Sequence, residues 1–327
     1  MSQPTLSDVH VNSPLTDISV AFIQESRNYI APKVFPVVPV AKQADRYFKY
    51  NRTDFLRQVA QMRAPGTESA GGGMRLDNTP SYYCDMYAVH KDIPDQLKAN
   101  ADAALNLERD TTIWATQQLM MKRDQLFATN YFTTGIWGTD RQGVVGVPAG
   151  AQFKQWDAAG STPIEDIYTS RYNMVQATGY SPNVLVLGAD SFKTLVNHAD
   201  VLDRIKYTQQ GVVSEDLLAN LMGVDRVVVA FATNVTSAEG AAVETNAFIC
   251  DGKSALLCYS APAPSLMQPS AGYIFSWNGY LGAGSEGNRI RRFRMEQLAA
   301  DRIEGELAIA MKMVSANLGV FMYDTVA

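Results

Sequence analysis

Residues 100–131, NADAALNLERDTTIWATQQLMMKRDQLFATNY, contain neither glycine nor proline, and their apolar positions recur at helical spacing. Leu105, Ile113, Met120 and Phe127 fall on or near one stripe, and the pairs Thr112/Ile113, Leu119/Met120 and Leu126/Phe127 repeat every seventh residue. Asp102, Glu108 and Asp110 load the first third with negative charge while Lys122 and Arg123 stand near the end, which complements the helix dipole. Pro94 precedes the stretch and Gly135 follows it. The spacing predicts one helix over 100–131, a rod of about 45 Å at a rise of about 1.5 Å per residue. A rod well above the usual three turns needs something flat to lie against.

The 327 residues are 46% apolar and 19% charged, with a formal net charge of -5. That composition suits one elaborated core or two domains and excludes disordered and fibrous classes. The apolar runs are shorter than the roughly eighteen residues of a membrane span, and Met1 to Thr16 lacks a basic patch followed by an apolar run. Neither insertion nor secretion is expected. Cys84, Cys250 and Cys258 are an odd number without CxxC spacing, which points away from a disulfide framework or a zinc site and fits a reducing compartment. The negative balance argues against a dedicated nucleic-acid binder while leaving room for a locally basic face.

In chain order, the first twenty residues are polar and read as an arm that orders against a partner. Ile18 to Ile30 fits a short amphipathic helix. Pro32, Pro36 and Pro39 among the valines of Ala31 to Val40 extend the backbone and exclude a helix there. Residues 41–85 form a two-stranded excursion: Arg46 to Tyr50 goes out, Pro65, Gly66 and Gly71 to Gly73 make a flexible tip, and Tyr82 to Val89 returns. It has too few large aliphatic residues for its own core, so another chain is expected to support it. Between Ala41 and Arg75 stand seven basic residues and three acidic ones, whereas between Asp85 and Asp110 stand six acidic and three basic. The two segments are expected to attract across subunits, with Arg46, Lys49, Arg52 or Arg57 meeting Asp95, Asp102 or Glu108.

Beyond the long helix, Pro163 to Thr178 reads as a helix closed by Gly179, and Val184 to Leu187 as a buried strand. Ala189 to Tyr207 has helical spacing, and Ser214 is a good N-cap for Ser214 to Met222. Val227 to Phe231, Ala247 to Cys250 and Ala255 to Tyr259 read as further strands, so a compact α/β domain is expected over about 151–285. From Asn288 onward, alternating apolar residues predict long strands that pair near the long helix.

Chemical signals are weak. Gly282-Ala-Gly284-Ser-Glu-Gly287 has the letters GxGxxG, but Asn288 to Arg294 after it reads as a basic strand rather than a helix opening. His10, His90 and His198 are far apart, and His198 is read as a helix-surface or capping residue. Asp92 and Asp95 around Pro94 fit a helix-start turn better than an acid/base pair. No catalytic, cofactor-binding or metal-ligating residue is expected. Arg289, Arg291, Arg292 and Arg294 form the densest basic cluster, a candidate contact with DNA or an acidic neighbour or else a solvated strand face.

The order of arm, basic extended loop, spine helix, α/β domain and closing strands resembles the major capsid protein of tailed bacteriophages, the HK97-like fold. The segments that carry the resemblance are Val34 to Val40, Leu187-Gly-Ala-Asp-Ser-Phe192 leading to Asp203-Arg-Ile-Lys-Tyr207, and Ile303 to Asp324, within a match from about Ser19 onward. It implies an α+β fold with an N-terminal arm (1–40), an extended β-loop (41–85), a peripheral domain (86–150 and 288–327) holding the spine helix, and an α/β axial domain (151–287). It implies a structural protein, not an enzyme, that self-assembles into hexamers and pentamers of an icosahedral head. The head would enclose double-stranded DNA and be assembled in the host cytoplasm. Expected partners are other copies of the chain, a portal, a decoration protein and, because little precedes the fold, a separate scaffolding protein; no membrane is involved. The alternatives are an encapsulin-like nanocompartment shell and a cytosolic nucleotide-binding α/β enzyme.

Overall fold

The computed structural model describes residues 24–101, 106–206, 213–264, 268–282 and 287–327. The expected helix at Ile18 to Ile30 lies mostly outside them, and only a single 3-10 turn, Ser26–Asn28, falls within.

Two sheets organise the chain. The peripheral sheet runs in the order Val37–Val40, Gly272–Trp277, Ala300–Met313, Asn288–Met295, and Asp85–Pro94 pairs along the other side of the long strand. Ala300–Met313 is therefore the axis of this sheet, antiparallel to three partners, with Ile303 opposite both Lys91 and Arg292. The central sheet runs Arg226–Ala230, Val184–Gly188, Ala255–Cys258, Gly319–Tyr323, Thr139–Val144, Phe153–Lys154. Val184–Gly188 is buried throughout. Val184 and Val186 face one core with Phe127, Tyr131 and Phe321, and Leu185 and Leu187 face a second with Ile164, Ile167 and Leu218. A strand buried on both faces explains the continuous apolar run.

Three of these strands cross the expected domain boundaries. Gly272–Trp277 leaves the segment 151–287 for the peripheral sheet, and Gly319–Tyr323 and Thr139–Val144 join the central one.

The spine helix spans Leu107–Tyr131, shorter than expected, with the Asn106 side chain accepting from the Arg109 amide at its start. Asp95–Asn100 is a separate helix, and Leu105 lies outside the described residues. Its buried positions are Thr111, Ala115, Leu119, Arg123, Asp124, Phe127 and Tyr131, whereas Ile113 and Met120 are only half-buried. The physical reason is Gly305 on the long strand: a Cβ there would stand 3.1 Å from Leu119 Cδ1 and 3.5 Å from Ala115 Cβ. Helix and sheet approach through small side chains, so the buried stripe advances by four and does not follow the largest apolar residues.

Local capping follows sequence closely elsewhere. Pro163–Thr178 ends at Gly179, whose φ of 77° needs no Cβ, and Ser214 Oγ accepts from the Leu217 amide. The predicted run Ala189 to Tyr207 breaks into Ala189–Val196 and Ala199–Ile205, with His198 as the cap of the second. Ala31–Val34 is a four-residue helix despite its proline, because Pro32 occupies the first turn, where its missing N–H costs nothing. In the extended loop, Ala44–Arg46 pairs with Ser81–Tyr83 and Lys49–Tyr50 with Leu76–Asp77, around a short helix Arg52–Leu56.

Candidate assembly surfaces

The basic cluster sits on the strand Asn288–Met295, whose outer edge has no strand partner among the described residues. Its arginines are answered within the chain. Arg289 grips Glu306 through Nε (2.9 Å) and Nη2 (2.7 Å), Arg291 Nη2 donates to the other oxygen at 2.6 Å, and the Tyr280 hydroxyl donates to it at 3.1 Å. Glu306 is 2% exposed, a carboxylate withdrawn from water and surrounded by donors. The Arg289 guanidinium also lies 4.6 Å from the Tyr280 ring centre.

The same strand reaches the helical side. Arg292 donates to Glu108 (2.8 Å) and Asp301 (3.0 Å), and Arg294 forms a two-pronged pair with Asp95 at 2.6 and 2.5 Å. Lys98 bridges Glu108 at 2.5 Å and Asp301 at 3.4 Å. The Arg294 guanidinium holds the Asp95 carboxyl below the usual range, and Arg302, paired with Asp92 at 2.6 and 2.8 Å, does the same there. Asp92 and Asp95 thus serve two separate ion pairs. Asp95 and Glu108, expected to meet a neighbour's loop, are engaged inside the subunit, and Asp102 lies outside the described residues.

The loop arginines are arranged differently. Arg52 Nη1 donates to the Ala177 carbonyl at the end of the helix Pro163–Thr178 (2.8 Å), and Arg75 pairs with Asp54 inside the loop at 3.0 Å. Arg46, Lys49 and Arg57 form no ion pair among the described residues. Across 41–85 only Tyr82 and Cys84 are buried, while Phe48, Phe55, Leu56 and Met62 are exposed. The excursion thus leaves most of its apolar surface open to solvent.

Two side-chain constellations escaped the sequence. Ser161 Oγ lies 2.9 Å from His198 Nε2, which resembles part of a hydrolytic triad. The roles are wrong for one: His198 Nδ1 accepts from the Asp200 amide, and Ser161 donates its proton to the Trp156 carbonyl. Burial lowers the His198 pKa, so the ring is a neutral cap. Asp124 is the second. In the buried face of the spine helix it accepts from the amides of Ile30 and Ala31, each at 2.9 Å, and burial pushes its pKa up to about 6. An acid beside an apolar stripe was its only signal. Gly282 is followed after Gly287 by a strand, so the GxGxxG letters have no helix N-terminus behind them. Among the described residues, no helix is long and apolar enough to cross a membrane.

A family model for phage major capsid protein E matches residues 146–271, most of the segment carrying the central sheet's parallel pair. The major capsid protein of Burkholderia phage BcepMu is 24% identical over 225 residues, covering 68% of this chain and 70% of the relative. A phage-related protein from Bordetella bronchiseptica RB50 superposes with a TM-score of 0.67 at 18% identity, over 92% of this chain and 94% of that one. The capsid subunit of cyanophage P-SCSP1u does so with a TM-score of 0.62 at 12% identity, over 98% and 95%. With the spine helix laid on a peripheral sheet, a loop that needs support and a fold shared with phage capsids, the chain is a major capsid protein of tailed bacteriophages with the HK97-like fold.

Proposed function

We propose that this capsid subunit builds the hexamers and pentamers of its icosahedral shell chiefly through the extended loop, and that the shell encloses double-stranded DNA. The role is structural rather than catalytic. The observation that carries this reading is the loop itself, which offers Phe48, Phe55, Leu56 and Met62 to solvent while only Tyr82 and Cys84 are buried. Weak contacts repeated around a closed shell add up to large avidity. A scaffolding protein and a portal are the partners such a head needs, and a decoration protein is an optional addition to its surface. Arg289, Arg291, Arg292 and Arg294 are already neutralised by Glu306, Glu108, Asp301 and Asp95, so they stiffen and guard a sheet edge before they offer charge to DNA.

Size-exclusion chromatography with negative-stain microscopy, alone and with a co-expressed scaffolding protein, tests the reading. Closed shells tens of nanometres across are expected. Recovery of monomers or small oligomers only, under both conditions, would overturn it. The ratio of nucleic acid to protein in purified particles separates a DNA-filled head from a shell around protein cargo.

A further inference from the structure

The hairpin Thr233–Val235 with Asn246–Phe248 stands apart from both large sheets: its two strands pair only with each other among the described residues. An isolated two-stranded ribbon is marginal in water and gains stability by leaning on something. This one leaves Val235 (56%), Val243 (77%) and Phe248 (41%) exposed. Residues 232–250 hold Glu239 and Glu244 and no lysine or arginine.

Its place in the fold is opposite to that of the extended loop. Val184–Gly188 and Arg226–Ala230 run parallel and in register, each about 16 Å long at the usual strand rise. The loop touches the chain just ahead of the first of these strands, through Arg52 on Ala177. The hairpin leaves from the far end of the second, directly after Ala230. Its base is held there by Gln24, whose amide exchanges two hydrogen bonds with the backbone of Thr233. The loop's Arg52 contact and the hairpin's base therefore lie towards opposite ends of the strand pair 184–188 and 226–230.

We infer that the hairpin 233–248 is the receiving surface for the basic loop of a second copy of this chain. The inference rests on the shell-forming role proposed above and names a contact within it. Charge complementarity supports the choice of occupant: Arg46, Lys49 and Arg57 are without an ion pair among the described residues, and Asp92, Asp95 and Glu108 of the acidic segment 85–110 are occupied by the chain's own arginines. Apolar complementarity runs alongside, with Phe55 and Leu56 on the loop and Val243 and Phe248 on the hairpin all exposed. Two unlike surfaces at opposite ends of one body make a head-to-tail contact, which closes into rings when the rotation permits. A nucleic-acid occupant is disfavoured by the two glutamates.

The test uses the full-length chain. Glu239→Lys with Glu244→Lys alters only hairpin residues, so the thermal midpoint of the unassembled subunit should not move. Shell yield at low salt should fall at least tenfold, and adding Arg46→Glu, Lys49→Glu and Arg57→Glu should recover at least half of it. In a second measurement, Arg57→Cys in one tagged copy and Val243→Cys in another should give a disulfide-linked heterodimer on mild oxidation, and neither variant alone should. Wild-type yield from the hairpin variant, or no heterodimer, overturns the inference. If the wild type makes no shells, the capsid role fails on its own terms and the cross-link alone judges the contact.

Discussion

The carboxylate of Asp124, in the middle of the spine helix, accepts the backbone N–H of Ile30 at 2.9 Å, and its second oxygen takes that of Ala31. One buried side chain thereby anchors the segment that leads into the fold. Lys33, Arg123, Tyr29 and Cys250 are the titratable groups that feel its charge. Desolvation outweighs the two hydrogen bonds and raises its pKa from 3.8 to about 6. Because the folded value is the higher one, this group's contribution is fully present below about pH 4 and is lost as pH rises through 6. Asp124→Asn should remove that slope. The difference in unfolding free energy from urea titration between unassembled wild type and variant should shift in the variant's favour between pH 4 and 7, by on the order of 2–3 kcal/mol. A difference constant across that range would show that Asp124 does not titrate there.

Glu306 is the hub of the charge network and the member most removed from water. Glu306→Ala should cost about 2–3 kcal/mol, because it leaves Arg289 without its carboxylate and Arg291 with only Glu304, 4.0 Å away. Arg294→Ala, at the exposed end near Asp95, should leave the urea midpoint almost unmoved. Equal losses for the two would mean that the network acts as one unit.

The face of the spine helix can be read by alanine substitution. Leu119→Ala removes a side chain packed over Gly305 and should cost about 2–4 kcal/mol. Met120→Ala, one position on and half-buried, should cost less than about 1 kcal/mol. Thermal midpoints in the reverse order would place the helix the other way round on the sheet.

Deleting Pro65 to Met74 should leave a soluble subunit with a thermal midpoint within a few degrees of wild type, since none of these residues is buried. Closed shells should be absent by negative-stain microscopy. Normal shells from the deletion would remove the loop tip from the assembly mechanism.

Features set by neighbours in the chain were legible in the sequence. Pro163 and Gly179 bracket a helix, Ser214 caps another, and His198 caps a third, because each acts on backbone within a few residues. Features set by distant pairing were not. Gly272–Trp277 follows strands of the central sheet yet joins Ala300–Met313, and nothing within the strand itself records that partner. Arg294 and Asp95 are 199 residues apart, so a run of arginines looked like free charge when each had a carboxylate waiting. The buried face of the spine helix was misread for a related reason: Thr111 and Ala115 carry little apolar signal, and the glycine that draws them in lies on another element.

The position of Gly319–Tyr323 has a consequence for synthesis. This strand lies between Ala255–Cys258 and Thr139–Val144, and it is what joins the pair 139–154 to the rest of the central sheet. While residue 323 is still inside the ribosome, that sheet exists as two unjoined pieces, and no nascent chain can present a finished body to its neighbours. The last long-range pairing is also the slow kind, closing a loop back to residue 139. Until that pairing forms, strands 139–154 stay detached from the rest of the central sheet, and the subunit has no completed body for a neighbour to pack against.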